Sequence, residues 1–260
     1  MKNNTLIEQL DHSLNPLHIF EANLLNPLSF QASLMNLEWQ GRPAPSWIVV
    51  ASRRAGKSFS LAGLCAFRAI YHGEDVIVAC PNESHARNFI RICTQLIFGA
   101  KIGSYVKPPK VLEIESKSGG RILAVHMARG GSAARGLSGH IVCAEEAVLV
   151  DNEAATEALL PILASASKPR FVAISSAGKK SGWLYDWFND ETDTETIRIQ
   201  LSAYDVPHID PVWLEKQRAR MSPSAFAREY LAEFTDYAEN PFIPPETLDR
   251  VFVPGESLHV

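Results

Sequence analysis

The segment Ala51-Ser52-Arg53-Arg54-Ala55-Gly56-Lys57-Ser58 carries residue types that can hold a phosphate. An apolar run, Trp47-Ile48-Val49-Val50, precedes it, and Phe59-Ser60-Leu61-Ala62-Gly63-Leu64-Cys65-Ala66 follows with the composition of a helix. Strand, tight loop ending Gly-Lys-Ser, then helix is the order of a phosphate-binding P-loop. Backbone N–H groups of such a loop and of the helix N-terminus point at one spot and favour an anion there. Gly56 lets the backbone approach phosphate oxygens closely. Lys57 is placed to reach β- and γ-phosphates, and the Ser58 hydroxyl to ligate Mg²⁺. Two features depart from the common pattern: Ala51 stands where the first glycine belongs, and the loop contains two arginines. The competing reading is a chance Gly-Lys-Ser at a helix start.

Hydrolysis of a bound nucleotide needs a metal ligand and a base for water. His140-Ile141-Val142-Cys143-Ala144-Glu145-Glu146-Ala147 offers both, about ninety residues downstream. Two carboxylates at the C-terminal end of a buried strand lie where ligands collect in open α/β sheets. Glu145 fits the Mg²⁺-binding acid, and Glu146 the general base. An exposed acidic pair at a strand–helix junction is the bland alternative. Upstream, Ala128-Arg129-Gly130-Gly131-Ser132-Ala133-Ala134-Arg135-Gly136-Leu137-Ser138-Gly139 is a Gly-flanked loop with two arginines. An arginine on a mobile loop can stabilise the charge of a transferring phosphoryl group, in its own subunit or a neighbour's. Equally, the loop's arginines can bind water or DNA phosphates. Downstream, Ile174-Ser175-Ser176-Ala177-Gly178-Lys179 ends a buried run in small residues; Ser176 there can sense the γ-phosphate, or the segment is a plain βα turn.

The elements that must position these residues alternate. Val76–Cys80, Ile141–Ala144 and Phe171–Ser175 read as strands buried on both faces, and Thr196–Ser202 as a half-buried strand. Val111–Glu115 and Arg121–His126 flank Ser-Lys-Ser-Gly-Gly as a hairpin. Glu83–Phe98 has helical spacing, residues 152–164 read as a helix, and Pro211–Phe234 as two helices broken at Ser222-Pro223. This predicts an α/β fold: a mostly parallel sheet flanked by helices, a P-loop NTPase of the RecA-like (ASCE) type. The expected organisation is a helical lead-in over 1–45, an ATPase domain over 46–236, and a proline-rich linker over 237–260.

Composition narrows the class. With 46% hydrophobic and 21% charged residues the chain suits a folded domain with a sizeable core. A net charge of −4 excludes a molecule that binds nucleic acid by bulk charge, so such contact needs a local patch. Lys101, Lys107, Lys110, Lys117, Lys179 and Lys180 are the candidate cations, with solvated surface charge as the plainer reading. The four cysteines, Cys65, Cys80, Cys93 and Cys143, have no C-x-x-C pairing and read as reduced thiols in a cytosolic protein. No apolar stretch approaches the ~18 residues of a membrane span.

Taken in order, these segments resemble the ATPase domain of a large terminase subunit, the DNA-packaging motor of tailed phages. Ser-Arg-Arg-Ala-Gly-Lys-Ser is similar to that family's arginine-bearing P-loop. Ile-Val-Cys-Ala-Glu-Glu-Ala is similar to its acidic strand, with Glu145 where Asp is usual, so an extra methylene must be accommodated. Ala-Arg-Gly-Leu, Ser-Ser-Ala-Gly-Lys and Trp-Leu-Tyr-Asp-Trp-Phe resemble its arginine, coupling and aromatic-helix segments. The resemblance runs over roughly 25–250. It implies ATP and Mg²⁺ as ligands, with Ser52, Arg53, Arg54, Ala55, Gly56, Lys57, Ser58 and Phe59 around the nucleotide. Arg53 then contacts the γ-phosphate in cis, Arg135 acts in trans, Gln31 reads adenine, and Ser58 and Glu145 hold the metal. Implied partners are double-stranded DNA bound without regard to sequence, a portal protein, a small terminase subunit and copies of the chain in a ring, in the cytoplasm of an infected bacterium. In that family a nuclease domain follows. Here Pro241-Phe242-Ile243-Pro244-Pro245 resembles the linker before it, and no acidic cluster follows, so no nuclease activity is expected. The competing functions are a helicase-like or other P-loop ATPase on nucleic acid, and a non-hydrolysing nucleotide-binding regulator.

Overall fold

Side chains alternate across a strand, so a strand buried on both faces must feed two cores. The strand before the P-loop does this: Trp47 and Val49 enter one apolar cluster, Ile48 and Val50 the other. The computed structural model describes residues 15–23, 25–127 and 131–236. The elements, in order, are α1 (His18–Ala22), α2 (Ser29–Asn36), β1 (Glu38–Trp39), β2 (Arg42–Pro43), β3 (Ser46–Ala51), α3 (Lys57–Tyr71), β4 (Asp75–Cys80), α4 (Glu83–Gly99), β5 (Glu113–Glu115), β6 (Arg121–His126), β7 (Ile141–Glu145), β8 (Arg170–Ser175), α5 (Trp183–Phe188), β9 (Thr196–Leu201), α6 (Pro211–Arg218) and α7 (Pro223–Phe226).

Seven strands form one sheet in the order β5-β6-β4-β7-β8-β3-β9. β5 runs antiparallel to β6, and the other neighbours pair in parallel. The expected mostly parallel sheet with flanking helices is therefore the observed one. α1 to α4 cover one face, with Ile19, Phe20, Phe30, Leu34 and Met35 of the lead-in buried in the same core as Trp47. The segment 154–165 and α5 cover the other. Each fully buried Val, Leu or Ile on these faces contributes about 1.5–3 kcal/mol. All four cysteines are free and buried.

Three details differ from the sequence reading. Residues 152–164 are not a regular α-helix but a π-helical turn, Ala154–Leu159, joined to a 3-10 stretch, Leu160–Ser165. Pro161 explains the break, because it has no N–H to donate to the preceding turn. The hairpin strand starts at Glu113, leaving Val111 and Leu112 outside it. Inside the lead-in, Trp39 pairs with Arg42 in a two-residue hairpin that the sequence pattern does not mark. The linker region 237–260, Arg129 and residues 1–14 lie outside the described residues. Among the described residues no helix is long and apolar enough to cross a membrane.

Candidate nucleotide site

Parallel register brings the ends of β3, β7 and β8 level, because Val50 lies beside Ser175 and Glu145 beside Ile174. The loops leaving those three ends therefore share one edge of the sheet, the edge where α/β folds collect ligands. A cleft of about 1110 Å³ opens there. Arg53, Arg54, Gly56, Lys57, Ser58, Phe59, Glu146 and Ser176 line it. The volume lies just above the ~300–1,000 Å³ typical of ligand sites.

The loop turns on Gly56, at φ 79, a left-handed conformation that side chains disfavour. A Cβ there would also meet Gln31 Nε2 at 3.3 Å. α3 begins at Lys57, so its free N–H groups and positive dipole end face the cleft. The Lys57 ammonium donates to the carbonyls of Ala51 and Ser52, at 3.0 Å each, and to Ser176 Oγ at 3.3 Å. Burial pushes Lys57 below the usual lysine value, while Glu146, Glu229 and Glu145 pull the other way. Ser52 is fully buried, and its Oγ has no hydrogen-bond partner among the described residues.

Glu145 stands beside Ser58 at the edge of the cleft. Ser58 Oγ donates to Glu145 Oε1 at 2.8 Å, joining the P-loop helix to β7. The second carboxylate oxygen, Oε2, is buried without a hydrogen-bond partner among the described residues. An unpaired buried carboxylate oxygen is costly unless something charged joins it. Burial, followed by repulsion from Glu146, raises the Glu145 pKa, with the Ser58 hydrogen bond opposing. A hydroxyl plus a hard carboxylate oxygen is the donor set Mg²⁺ takes. These residues fit that ion, and the longer glutamate reaches Ser58 without displacing β7.

Glu146 is the first residue beyond β7 and sits at φ 49, ψ 51. That left-handed backbone lets it follow Glu145 into the same cleft, where strand geometry would send it to the opposite face. The turn is fixed from β8: the Val148 N–H donates to Ser175 Oγ at 3.1 Å. Thus Ser175 grips the turn after Glu146, and the adjacent Ser176 meets Lys57.

The remaining predicted residues lie as follows. Gln31 is buried behind the loop, with both ends of its amide engaged. Oε1 accepts from the Leu28 N–H and Nε2 donates to Ser60 Oγ, each at 2.6 Å. Ala55 is buried in the loop and Phe59 is 41% exposed at the rim. Arg54, at φ 64, sets its guanidinium 5.6 Å from the Trp213 ring, and its carbonyl accepts from His208 Nε2 at 2.8 Å. Arg53 pairs with Glu229. Arg135 is not among the residues lining the cleft; it stands on the surface, 3.8 Å from Glu153 and 3.9 Å from Glu157.

Sequence reasoning missed Glu229, Arg228, His85, Ile92 and Leu149, which also line the cleft. No local motif marks them, since each arrives from an element whose own pattern is simply helical or a turn. Of the candidate DNA-binding cations, Lys107 and Lys110 are committed to Glu115 and Glu113, and Lys180 to Asp236.

Several solved structures share the fold. The ATPase domain of the Thermus phage P74-26 large terminase matches with a TM-score of 0.68 at 17% identity, covering 83% of this chain and 97% of that one. The HK97 bacteriophage large terminase matches with 0.68 at 14% identity, over 81% of this chain and 51% of that one. The large terminase of a thermophilic bacteriophage, in complex with ADP, matches with 0.66 at 12% identity, over 80% of this chain and 53% of that one. The chain thus spans about half the length of the latter two proteins. No curated protein matches it. The family model described as "Terminase large subunit, T4likevirus-type, N-terminal" covers residues 48–252, from the P-loop strand onward. With that match running through the loop, both glutamates and the β8 serines, the chain belongs to the terminase large subunit family, as its N-terminal ATPase part.

Proposed function

We propose that this chain hydrolyses Mg²⁺-ATP in the cleft and uses the energy to move double-stranded DNA into a viral procapsid. The observation that carries the reading is the Ser58–Glu145 contact with its unpartnered buried oxygen, next to a second glutamate held in the same cleft by a left-handed turn. A P-loop that only bound phosphate has no need of the second carboxylate.

The chain's residues divide the work. The helix N-terminus and the Lys57 ammonium neutralise the phosphates; on binding, Lys57 exchanges loop carbonyls for phosphate oxygens. Ser58 and Glu145 would hold Mg²⁺, which would supply positive charge to the phosphates. Glu146 accepts a proton as the water oxygen bonds to the γ-phosphorus. The bond to the β-phosphate oxygen breaks, and its electron pair leaves with ADP. Ser176 lies close enough to Lys57 to register the γ-phosphate. Arg53 serves that phosphate in cis. Arg135, parked on the surface against two glutamates, serves a neighbouring subunit in a ring. Reading of adenine by Gln31 requires it to release Leu28 or Ser60. Contact with DNA runs through phosphates and carries no sequence preference. A portal protein and a small terminase subunit complete the assembly, in the cytoplasm of the infected host.

Replacement of Lys57 by Ala tests the assignment. Hydrolysis should be lost and ATP binding weakened. Turnover near the wild-type rate in that variant would remove the basis for the reading.

A further inference from the structure

The P-loop's first arginine is held by a residue from the far end of the chain. Arg53 uses its backbone and its side chain for one neighbour. Its N–H donates to the Glu229 carbonyl at 2.7 Å, and its Nε donates to the Glu229 carboxylate. Glu229 belongs to the π-helical turn Ala227–Leu231, which continues α7, and both residues line the nucleotide cleft. The Arg53 side chain is 66% exposed and that of Glu229 24%. A long exposed arginine samples many rotamers unless something fixes it. Binding through Nε fixes the fork while leaving Nη1 and Nη2 for another anion, and a guanidinium recognises planar or tetrahedral oxyanions through such paired N–H groups. In the same cleft Lys57 repels Arg53 and Glu146 attracts it.

We propose that Glu229 is a positioning residue: it holds Arg53 by Nε so that its terminal nitrogens meet the γ-phosphate as charge develops. This rests on the cleft being the ATP site. It gives the turn after α7 a role in the rate without contact with the nucleotide. The second arginine is held from a different element, by Trp213 of α6 and by His208 just before it.

The test uses the whole chain with Mg²⁺. ADP binding and single-turnover ATP hydrolysis are measured for wild type, Glu229→Ala, Glu229→Gln, Arg53→Ala and the Arg53→Ala/Glu229→Ala pair. A misaligned catalytic group costs up to about 100-fold. Glu229→Ala should therefore lower kcat about 10- to 100-fold while ADP affinity and KM stay within about twofold. Glu229→Gln, which keeps an acceptor of the same reach, should recover most of the rate. The Arg53→Ala background should abolish the Glu229→Ala effect. Equal loss in that background, parallel loss of ADP binding and kcat, or tighter ATP binding at unchanged kcat would each overturn the proposal. If Glu229→Ala does not fold, Glu229→Asp makes the same test, since it keeps the charge and falls one methylene short. Failure of the wild-type chain to bind ADP at all would instead refute the cleft as the nucleotide site.

Discussion

Replacing Glu146 by glycine should make the protein more stable and catalytically dead. Glu146 holds φ 49, ψ 51, a conformation that puts Cβ against the following carbonyl. That costs a non-glycine residue about 1–2 kcal/mol. Glycine removes the clash but loses about 0.5–1 kcal/mol more backbone entropy on folding. The side chain has no hydrogen bond to lose among the described residues; its removal relieves repulsion on the buried Glu145 and, in the opposite direction, gives up attraction to Lys57 and Arg53. The net gain is roughly 0.5–1 kcal/mol, or about 1–4 °C in Tm for a domain of this size. Glu146→Gln keeps the strained backbone, so its Tm should stay within a degree or two of wild type. Both variants lack a group that can take a proton from water. Both should lose about 10²–10⁴ in kcat while still binding ATP. Thermal melts without nucleotide and single-turnover hydrolysis measure the two halves separately. A glycine variant less stable than wild type would show that the turn is held for packing and not at a cost. A glutamine variant with near-normal turnover would move the base elsewhere, and Glu145 would then be the carboxylate to test.

Two further outcomes follow from the same cleft. The Glu145 carboxyl titrates above its unfolded value, because burial and Glu146 penalise its charge. Its contribution to stability is therefore fully present below the unfolded pKa and is lost as pH rises through the folded one. The Tm of the wild type minus that of Glu145→Gln, without nucleotide or Mg²⁺, should fall as pH is raised from about 4 toward neutrality; a difference that rises with pH would contradict the burial argument. Arg135→Ala subunits should bind ATP yet hydrolyse it poorly, with the loss within the ~10³–10⁵ range of arginine fingers. Mixing them with Glu146→Gln subunits should restore turnover, since one supplies the base and the other the arginine. Assembled mixtures that stay inactive would assign Arg135 to its own subunit or to DNA.

What was legible in the sequence had its cause close by in the chain. β3, β4, β7 and β8 are short unbroken apolar runs, and burial on both faces of a parallel sheet demands that pattern. The Gly-Lys-Ser loop, Glu145, Glu146 and Ser176 stand at the ends of those runs, so parallel register brings them to one edge, and the left-handed turn at Glu146 then adds its side chain to the cleft. The hairpin at Trp39 and Arg42 was missed because its strands are two residues long and its turn, Gln40 at φ 51 and Gly41 at φ 75, lacks the usual Asn-Gly or Asp-Gly. The two P-loop arginines were visible, but their structural partners were not. Arg53 meets Glu229 across 176 residues, a contact made only when the helices after β9 fold back over the loop. Arg54 needs the same closure to reach Trp213. Arg54 therefore ties the phosphate loop to α6, and Arg53 ties it to the last described helical segment, whose chain continues through Thr235, paired with Lys179 beside the β8 serines.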